Sequence, residues 1–325
     1  MAMSAPVVDI LLTPAHAQRA LHRDALLGLT SSPKWLPPKW FYDARGSDLF
    51  EEITRLPEYY PTRAERSILV AHSAEIARNT EAHTLVELGS GSSEKTRLLL
   101  DALQAEGTLR EFVPLDVSEA ALRVAVAGLS SAYQRLAIHG VVGDFTEHLS
   151  HMPGQTPRIF AFLGGTIGNL LPDERASFLT ELRDTLVDGE WLLLGTDLVK
   201  DPKVLVAAYD DKAGVTAKFN RNVLAVLNRQ LGANFDVQNY EHVAVWDPEN
   251  EWIEMRLRSN VPTRVTLSGL GLDMIMEAGE EIRTEISAKF RREGVERELA
   301  DAGFSLDRWW TDSKERFALS LARAC

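Results

Sequence analysis

The sequence holds a single cysteine, Cys325 at its last position, which excludes an internal disulfide framework and any thiolate-based zinc site. A reducing cytoplasm is the expected compartment. Long apolar runs are missing too: stretches such as Trp191-Leu192-Leu193-Leu194 stop far short of the ~20 residues a membrane-spanning helix needs. No basic segment leads into an apolar core and a small-residue cleavage site, so export is not expected, and Met1 to Ser4 read as an expression remnant. Positive charge is in deficit, with 35 Lys+Arg against 47 Asp+Glu for a net −12, which argues against binding a phosphate backbone. The eight histidines lack H-x-x-x-H or similar ligand spacing, so no metal is expected. Nor does any serine, cysteine or histidine arrangement point to a covalent intermediate.

What is present is an ordinary globular composition, 45% hydrophobic and 25% charged, in 325 residues, enough for two domains. From His83 to Leu198 apolar runs alternate with amphipathic stretches, the pattern of βαβ units in a parallel sheet. Strands are expected at His83 to Leu88, Phe112 to Val117, Ile138 to Val142, Arg158 to Leu163 and Trp191 to Gly195. Helices are expected at Ser93 to Ala105, stopped by Gly107, after Ser118 as a cap, and at Pro172 to Leu186. Beyond Asp197 the rhythm changes. Val204 to Leu231 reads as helical, Tyr240 to Arg258 as a hairpin about Asp247-Pro248-Glu249-Asn250, and Arg264 to Met276 and Ile282 to Phe290 as further strands. A short helix at Gly294 to Ala302 and an antiparallel pair, Phe304 to Trp309 with Phe317 to Leu321, then close the sheet. The expected division is 63–198 and 289–325 for the sheet domain, with 199–288 inserted into it and joined by 1–62.

The loop Glu87-Leu88-Gly89-Ser90-Gly91 follows a buried strand and precedes a helix, so Gly89 and Gly91 let the backbone turn sharply and approach a ligand. Glu94 stands where a dinucleotide fingerprint has its third glycine, and with Glu87 it is ill-placed beside phosphates. A carboxylate there suits a cationic ligand carrying an amine and a sulfonium. Asp116, ending the second strand, can take two ribose hydroxyls, and Asp144 and Phe145, ending the third, can hold an adenine. These positions point to S-adenosylmethionine. Strand four ends in Gly164-Gly165-Thr166-Ile167-Gly168-Asn169. This segment reads either as a glycine turn with Asn169 left-handed, or as a close backbone approach with the Asn169 amide binding a polar substrate.

Longer motifs carry a resemblance. Leu36-Pro37-Pro38-Lys39-Trp40-Phe41-Tyr42-Asp43, Leu56-Pro57-Glu58-Tyr59-Tyr60-Pro61-Thr62-Arg63 and Val86-Glu87-Leu88-Gly89-Ser90-Gly91 strongly resemble the histidine-specific methyltransferases of ergothioneine biosynthesis. Thr166-Ile167-Gly168-Asn169, Leu194 to Lys200, Ala208-Tyr209-Asp210, Phe219 to Leu224 and Arg308 to Asp312 match as well. The resemblance implies an α/β fold: a class I Rossmann-like methyltransferase sheet with an inserted α+β substrate-binding domain. It implies an L-histidine Nα-methyltransferase that makes hercynine with three S-adenosyl-L-methionine, releasing S-adenosyl-L-homocysteine. Its partners are then L-histidine and the mono- and dimethylated intermediates, with no nucleic acid or membrane, and the chain is read as a monomer.

Carried over residue by residue, Tyr59, Gly164, Asn169 and Tyr209 bind the amine and carboxylate end, while Met255, Glu285 and Ser287 take the imidazole. Gly89, Lys95, Asp116, Asp144 and Phe145 fall on the family's cofactor positions with Tyr42 nearby, joining Glu87 and Gly91 as read from the loop itself, and Tyr42, Tyr59 and Asn169 are the catalytic candidates. Three positions depart from the pattern: Gly165 where serine is expected, Ala288 where cysteine is, and Trp35 where serine is. Gly165 is expected to loosen the loop carrying Asn169. The rival readings are an Nα-methyltransferase of tryptophan or another amino acid, a nicotinamide-dependent oxidoreductase, disfavoured by the missing third glycine, and a catalytically silent cofactor-binding protein.

Overall fold

Runs such as Thr84-Leu85-Val86-Glu87-Leu88 and Arg158-Ile159-Phe160-Ala161-Phe162 are buried at every position, as strands covered on both faces must be. The computed structural model describes residues 6–325, so Met1 to Ser4 lie outside the described residues. In chain order the elements begin β1 (Val7–Ile10), α1 (Pro14–Thr30), β2 (Lys34–Trp35), α2 (Ala44–Thr54), α3 (Pro61–Thr80), β3 (Thr84–Leu88) and α4 (Arg97–Glu106). Next come β4 (Glu111–Asp116), α5 (Glu119–Ala132), β5 (Ala137–Val142), β6 (Arg158–Phe162), α6 (Pro172–Thr185) and β7 (Trp191–Asp197). After these run α7 (Pro202–Tyr209), α8 (Val215–Leu231), β8 (Tyr240–Asp247), β9 (Trp252–Ser259), β10 (Thr263–Leu267) and β11 (Leu272–Met276). The chain ends with β12 (Glu281–Ala288), α9 (Arg292–Asp301), β13 (Phe304–Thr311) and β14 (Phe317–Ala324).

Two compact units result. One comprises Met1–Leu12, Pro61–Val199 and Lys289–Cys325; the other comprises Thr13–Tyr60 and Lys200–Ala288. The first is built on an eight-stranded sheet ordered β1-β5-β4-β3-β6-β7-β14-β13. Strands β1, β5, β4, β3, β6 and β7 are mutually parallel, and the β13–β14 hairpin adds antiparallel to β7. The order reverses at β3, which places a topological switch point between β4, β3 and β6, where open α/β sheets bind ligands. Residues 1–62 were expected with the substrate domain; within them β1 instead pairs with β5 and extends this sheet. Its Val-Val-Asp-Ile is too short for periodicity to separate it from a loop.

The chain leaves this unit after Val199 and returns at Lys289, and the two crossings are stitched together. Leu198 bridges Phe290, Val199 N donates to Phe290 O at 3.0 Å, and buried Lys289 Nζ pairs with Asp197 at 3.0 Å.

The second unit contains a four-stranded sheet ordered β2-β12-β9-β8 and a separate β10–β11 hairpin. Its helices include a correction: Val204 to Leu231 is not continuous. The Asp211 carboxylate accepts from Val215 N at 3.0 Å and Thr216 N at 2.7 Å, and Gly214 sits left-handed at φ 70°, so one helix stops at Tyr209 and another starts at Val215. Among the described residues no helix is long and apolar enough to cross a membrane.

Candidate active site

The carboxyl ends of β3 to β6 carry the expected cofactor groups. Gly89 and Gly91 have φ of +72° and +49°, and a Cβ on either would meet nothing within 4 Å, so the turn leaves an open cradle. Gly89 N and Ser90 N both donate to Leu115 O at 2.9 Å, folding the loop over the end of β4. There the Asp116 carboxylate accepts from Gly91 N and Ser118 N, each at 2.8 Å. Burial raises its pKa, opposed by those two bonds and one from Val117 N.

Glu87, expected beside the cofactor, is tied into the loop itself. It is buried, and its oxygens accept from the hydroxyls of Thr96 and Ser93, the latter at 2.9 Å. Desolvation pushes its pKa up to about 7 despite those hydrogen bonds and the nearby Lys95 charge. The carboxyl therefore braces the loop from beneath. Its two partners also explain why the helix begins at Arg97 instead of Ser93: Ser93 has φ +51° and belongs to the braced loop.

Lys95 donates to Glu65, a fully buried carboxylate on α3 whose other oxygen accepts from Gly164 N at 2.8 Å. Sequence reasoning missed Glu65. Its place three and four residues before Ile68 and Leu69 puts it on the inner face of the helix, which is the signal that could have found it.

Asp144, buried at the end of β5, accepts from Thr146 N at 2.9 Å and Thr146 Oγ at 2.7 Å. Phe145 rests on Phe162 and Phe178, ring centroids 5.0 and 5.7 Å away. At the end of β6, Gly164 and Gly165 hold φ of +81° and +72°, and Thr166–Asn169 is a single 3-10 turn. Asn169 is thus not the left-handed residue of this loop. At Gly165, φ +72° suits glycine and would strain a serine, so the departure from the family pattern relieves the loop.

In the second unit the aromatic motifs meet. Tyr42 packs edge-on to Phe50 and Phe219 at 5.6 Å, Phe50 to Tyr59 at 6.1 Å, and Tyr59 to Tyr209 at 6.4 Å. The Tyr209 hydroxyl lies 2.6 Å from Ser287 Oγ. Met255 and Ser287 are buried and Glu285 half-buried.

Register decides where Glu285 goes. Arg283 pairs with Arg256, but the next paired residue is Glu285, opposite Met255, so Thr284 is the extra residue of a β-bulge. Arg256 and Arg258 hold Glu281, and Arg256 also holds Glu254, in an ion-pair network on the Arg283 face. A regular strand would add Glu285 to that network. The bulge turns it to the face shared by Met255 and Ser287, a shift that alternation in the sequence conceals.

A parallel sheet with a glycine cradle after its first central strand, and acidic groups ending the next two, is the Rossmann-like core of an S-adenosylmethionine-dependent methyltransferase. The chain belongs to the S-adenosylmethionine-dependent histidine-specific methyltransferases, whose family model matches residues 21–324. It is 57% identical over 306 residues to a histidine N-alpha-methyltransferase of Mycolicibacterium smegmatis, covering 94% of this chain and 95% of that protein. A histidine N-alpha-methyltransferase of Mycobacterium tuberculosis is 56% identical over 303 residues, covering 93% and 94%. Ergothioneine biosynthesis protein 1 of Neurospora crassa is 29% identical over 320 residues, 96% of this chain but 36% of that larger protein.

Proposed function

We propose that the protein methylates the α-amine of L-histidine three times, giving hercynine at the first step of ergothioneine biosynthesis. The observation that carries this reading is the polar group on one face of the second unit's sheet, where Glu285 and Ser287 stand beside Met255 and Ser287 meets the Tyr209 hydroxyl. A carboxylate and a hydroxyl there suit the N–H and ring nitrogen of imidazole, whereas indole leaves much of that polarity without a partner. The names of the two mycobacterial relatives support the same substrate.

The open cradle at Gly89 and Gly91 fits the cofactor, with Lys95, Asp116, Asp144, Phe145 and Tyr42 as the further groups that hold it. When bound, S-adenosylmethionine supplies a methyl group on a sulfonium, already activated for in-line displacement. The chain's work is therefore alignment and exclusion of water. Asn169 and the Gly164 backbone are assigned to the amino acid's amine and carboxylate end, as are Tyr59 and Tyr209. An α-amine with a pKa of ~8 or above is mostly protonated near neutrality, so a proton leaves before each transfer. After three transfers the nitrogen has no lone pair, and the sequence of steps ends there.

Mass spectrometry of histidine incubated with the protein and S-adenosylmethionine tests this. Three methyl groups on the α-nitrogen are expected; a product stopping at one, or reaction of tryptophan with histidine untouched, overturns it.

A further inference from the structure

Beneath the proposed substrate residues of the second unit runs a buried polar chain to which no role has been given. Thr284 and Asn220 are fully buried and His242 nearly so. Thr284 Oγ1 lies 2.6 Å from Asn220 Oδ1 and 3.1 Å from Met255 O; it has one proton, and the shorter contact assigns it to Asn220. Asn220 Nδ2 donates to His242 Nδ1 at 2.8 Å and to Arg256 O at 3.1 Å. His242 Nε2 lies 2.8 Å from Tyr209 O. The donors run one way, from Thr284 through Asn220 to His242 and on to the Tyr209 carbonyl, which requires a neutral His242 with its proton on Nε2. Burial lowers the His242 pKa and so favours that form.

Each end of this chain holds a proposed substrate group. Thr284 is the extra residue of the bulge, so the bonds it makes fix the point where β12 changes face and Glu285 turns toward Met255. His242 secures the last residue of α7, whose hydroxyl meets Ser287. We propose that Thr284, Asn220 and His242 form one positioning device for histidine selection, setting Glu285 at one end and Tyr209 at the other. The proposal rests on the reading of Tyr209, Met255, Glu285 and Ser287 as substrate-binding residues.

Thr284→Val keeps the side-chain volume and removes the hydroxyl that closes the chain. Loss of one buried hydrogen bond converts to roughly tenfold, so KM for histidine should rise about tenfold with kcat changed about twofold at most. Binding of S-adenosylhomocysteine should be unchanged, and Thr284→Ser should restore KM. A merely structural role would lower the melting temperature without moving KM. If the unsubstituted protein methylates histidine and Thr284→Val does so with the same KM and the same preference over tryptophan, the inference fails while the function stands. If the unsubstituted protein leaves histidine unmethylated, the function fails and takes the inference with it. Should Thr284→Val not fold, nitrogen-15 NMR of the unsubstituted protein decides: His242 with a proton on Nδ1 near pH 7 would break the chain as drawn.

Discussion

Gly195 keeps clear the space that Glu65 occupies: a Cβ built on Gly195 would overlap the Glu65 oxygen that receives Gly164 N, with the Phe317 ring 3.2 Å away on another side. The carboxylate that ties Lys95 to the loop after β6 therefore depends on a glycine in β7. Gly195→Ala should push Glu65 aside, costing about 1–3 kcal/mol as overpacking does and loosening Gly164. Urea unfolding together with kcat/KM would check it; wild-type values in both would show that the contact is dispensable.

A pH dependence follows from Glu87. Its carboxyl rises from the ordinary 4.5 to about 7 on folding. Below both values it is protonated in either state; between them the unfolded chain ionises while the folded one holds its proton. Stability is thus fully present below pH ~4.5 and declines as pH rises through ~7, by a few kcal/mol, on the order of 3. Glu87→Gln should remove this slope, so the variant gains on the parent as pH rises from 5 to 7.5. Unfolding free energies measured at both pH values should show the gap changing; a constant difference would count against the buried, protonated Glu87.

Placing at Gly165 the serine that the resemblance led one to expect should not improve the loop. With φ at +72°, Gly165→Ser should lose roughly 1 kcal/mol of stability. A thermal melt at or above the parent's would mean that the loop relaxes out of the left-handed region.

With Glu285 as the proposed acceptor of the imidazole N–H, Glu285→Ala should lower kcat/KM for histidine by at least about tenfold and narrow the margin over tryptophan. Competition between the two amino acids in one vessel, read by mass spectrometry, measures the ratio directly. An unmoved ratio would remove Glu285 from substrate recognition.

Much of the sheet was legible because its parallel strands are continuous apolar runs punctuated by Gly107, Ser118 and Pro172, which stand at the helix ends where their chemistry places them. The places of Gly89, Asp116 and Asp144 were legible for the same reason, since they stand at or just beyond the ends of β3, β4 and β5. That Ser93 and Thr96 draw Glu87 inward was not legible, because the sequence does not say which way a strand-end carboxylate faces. The partners of Glu65, Asn220 and His242 were not legible, because they lie far along the chain. The bulge at Thr284 was invisible because adding one residue to a strand leaves its composition unchanged.

The stitched crossing of Leu198 and Phe290 has an evolutionary consequence. Closing an excursion whose two ends are a hydrogen bond apart costs entropy that rises only slowly with its length, about 0.6 kcal/mol for each doubling. Segment 200–288 is thus a cassette: its strands can drift, lengthen or be exchanged for others while β7 and the returning chain keep their register. On the proposed assignment of the sites, the edge that reads the methyl donor can stay fixed through such changes while new acceptors are tried against an unchanged chemistry.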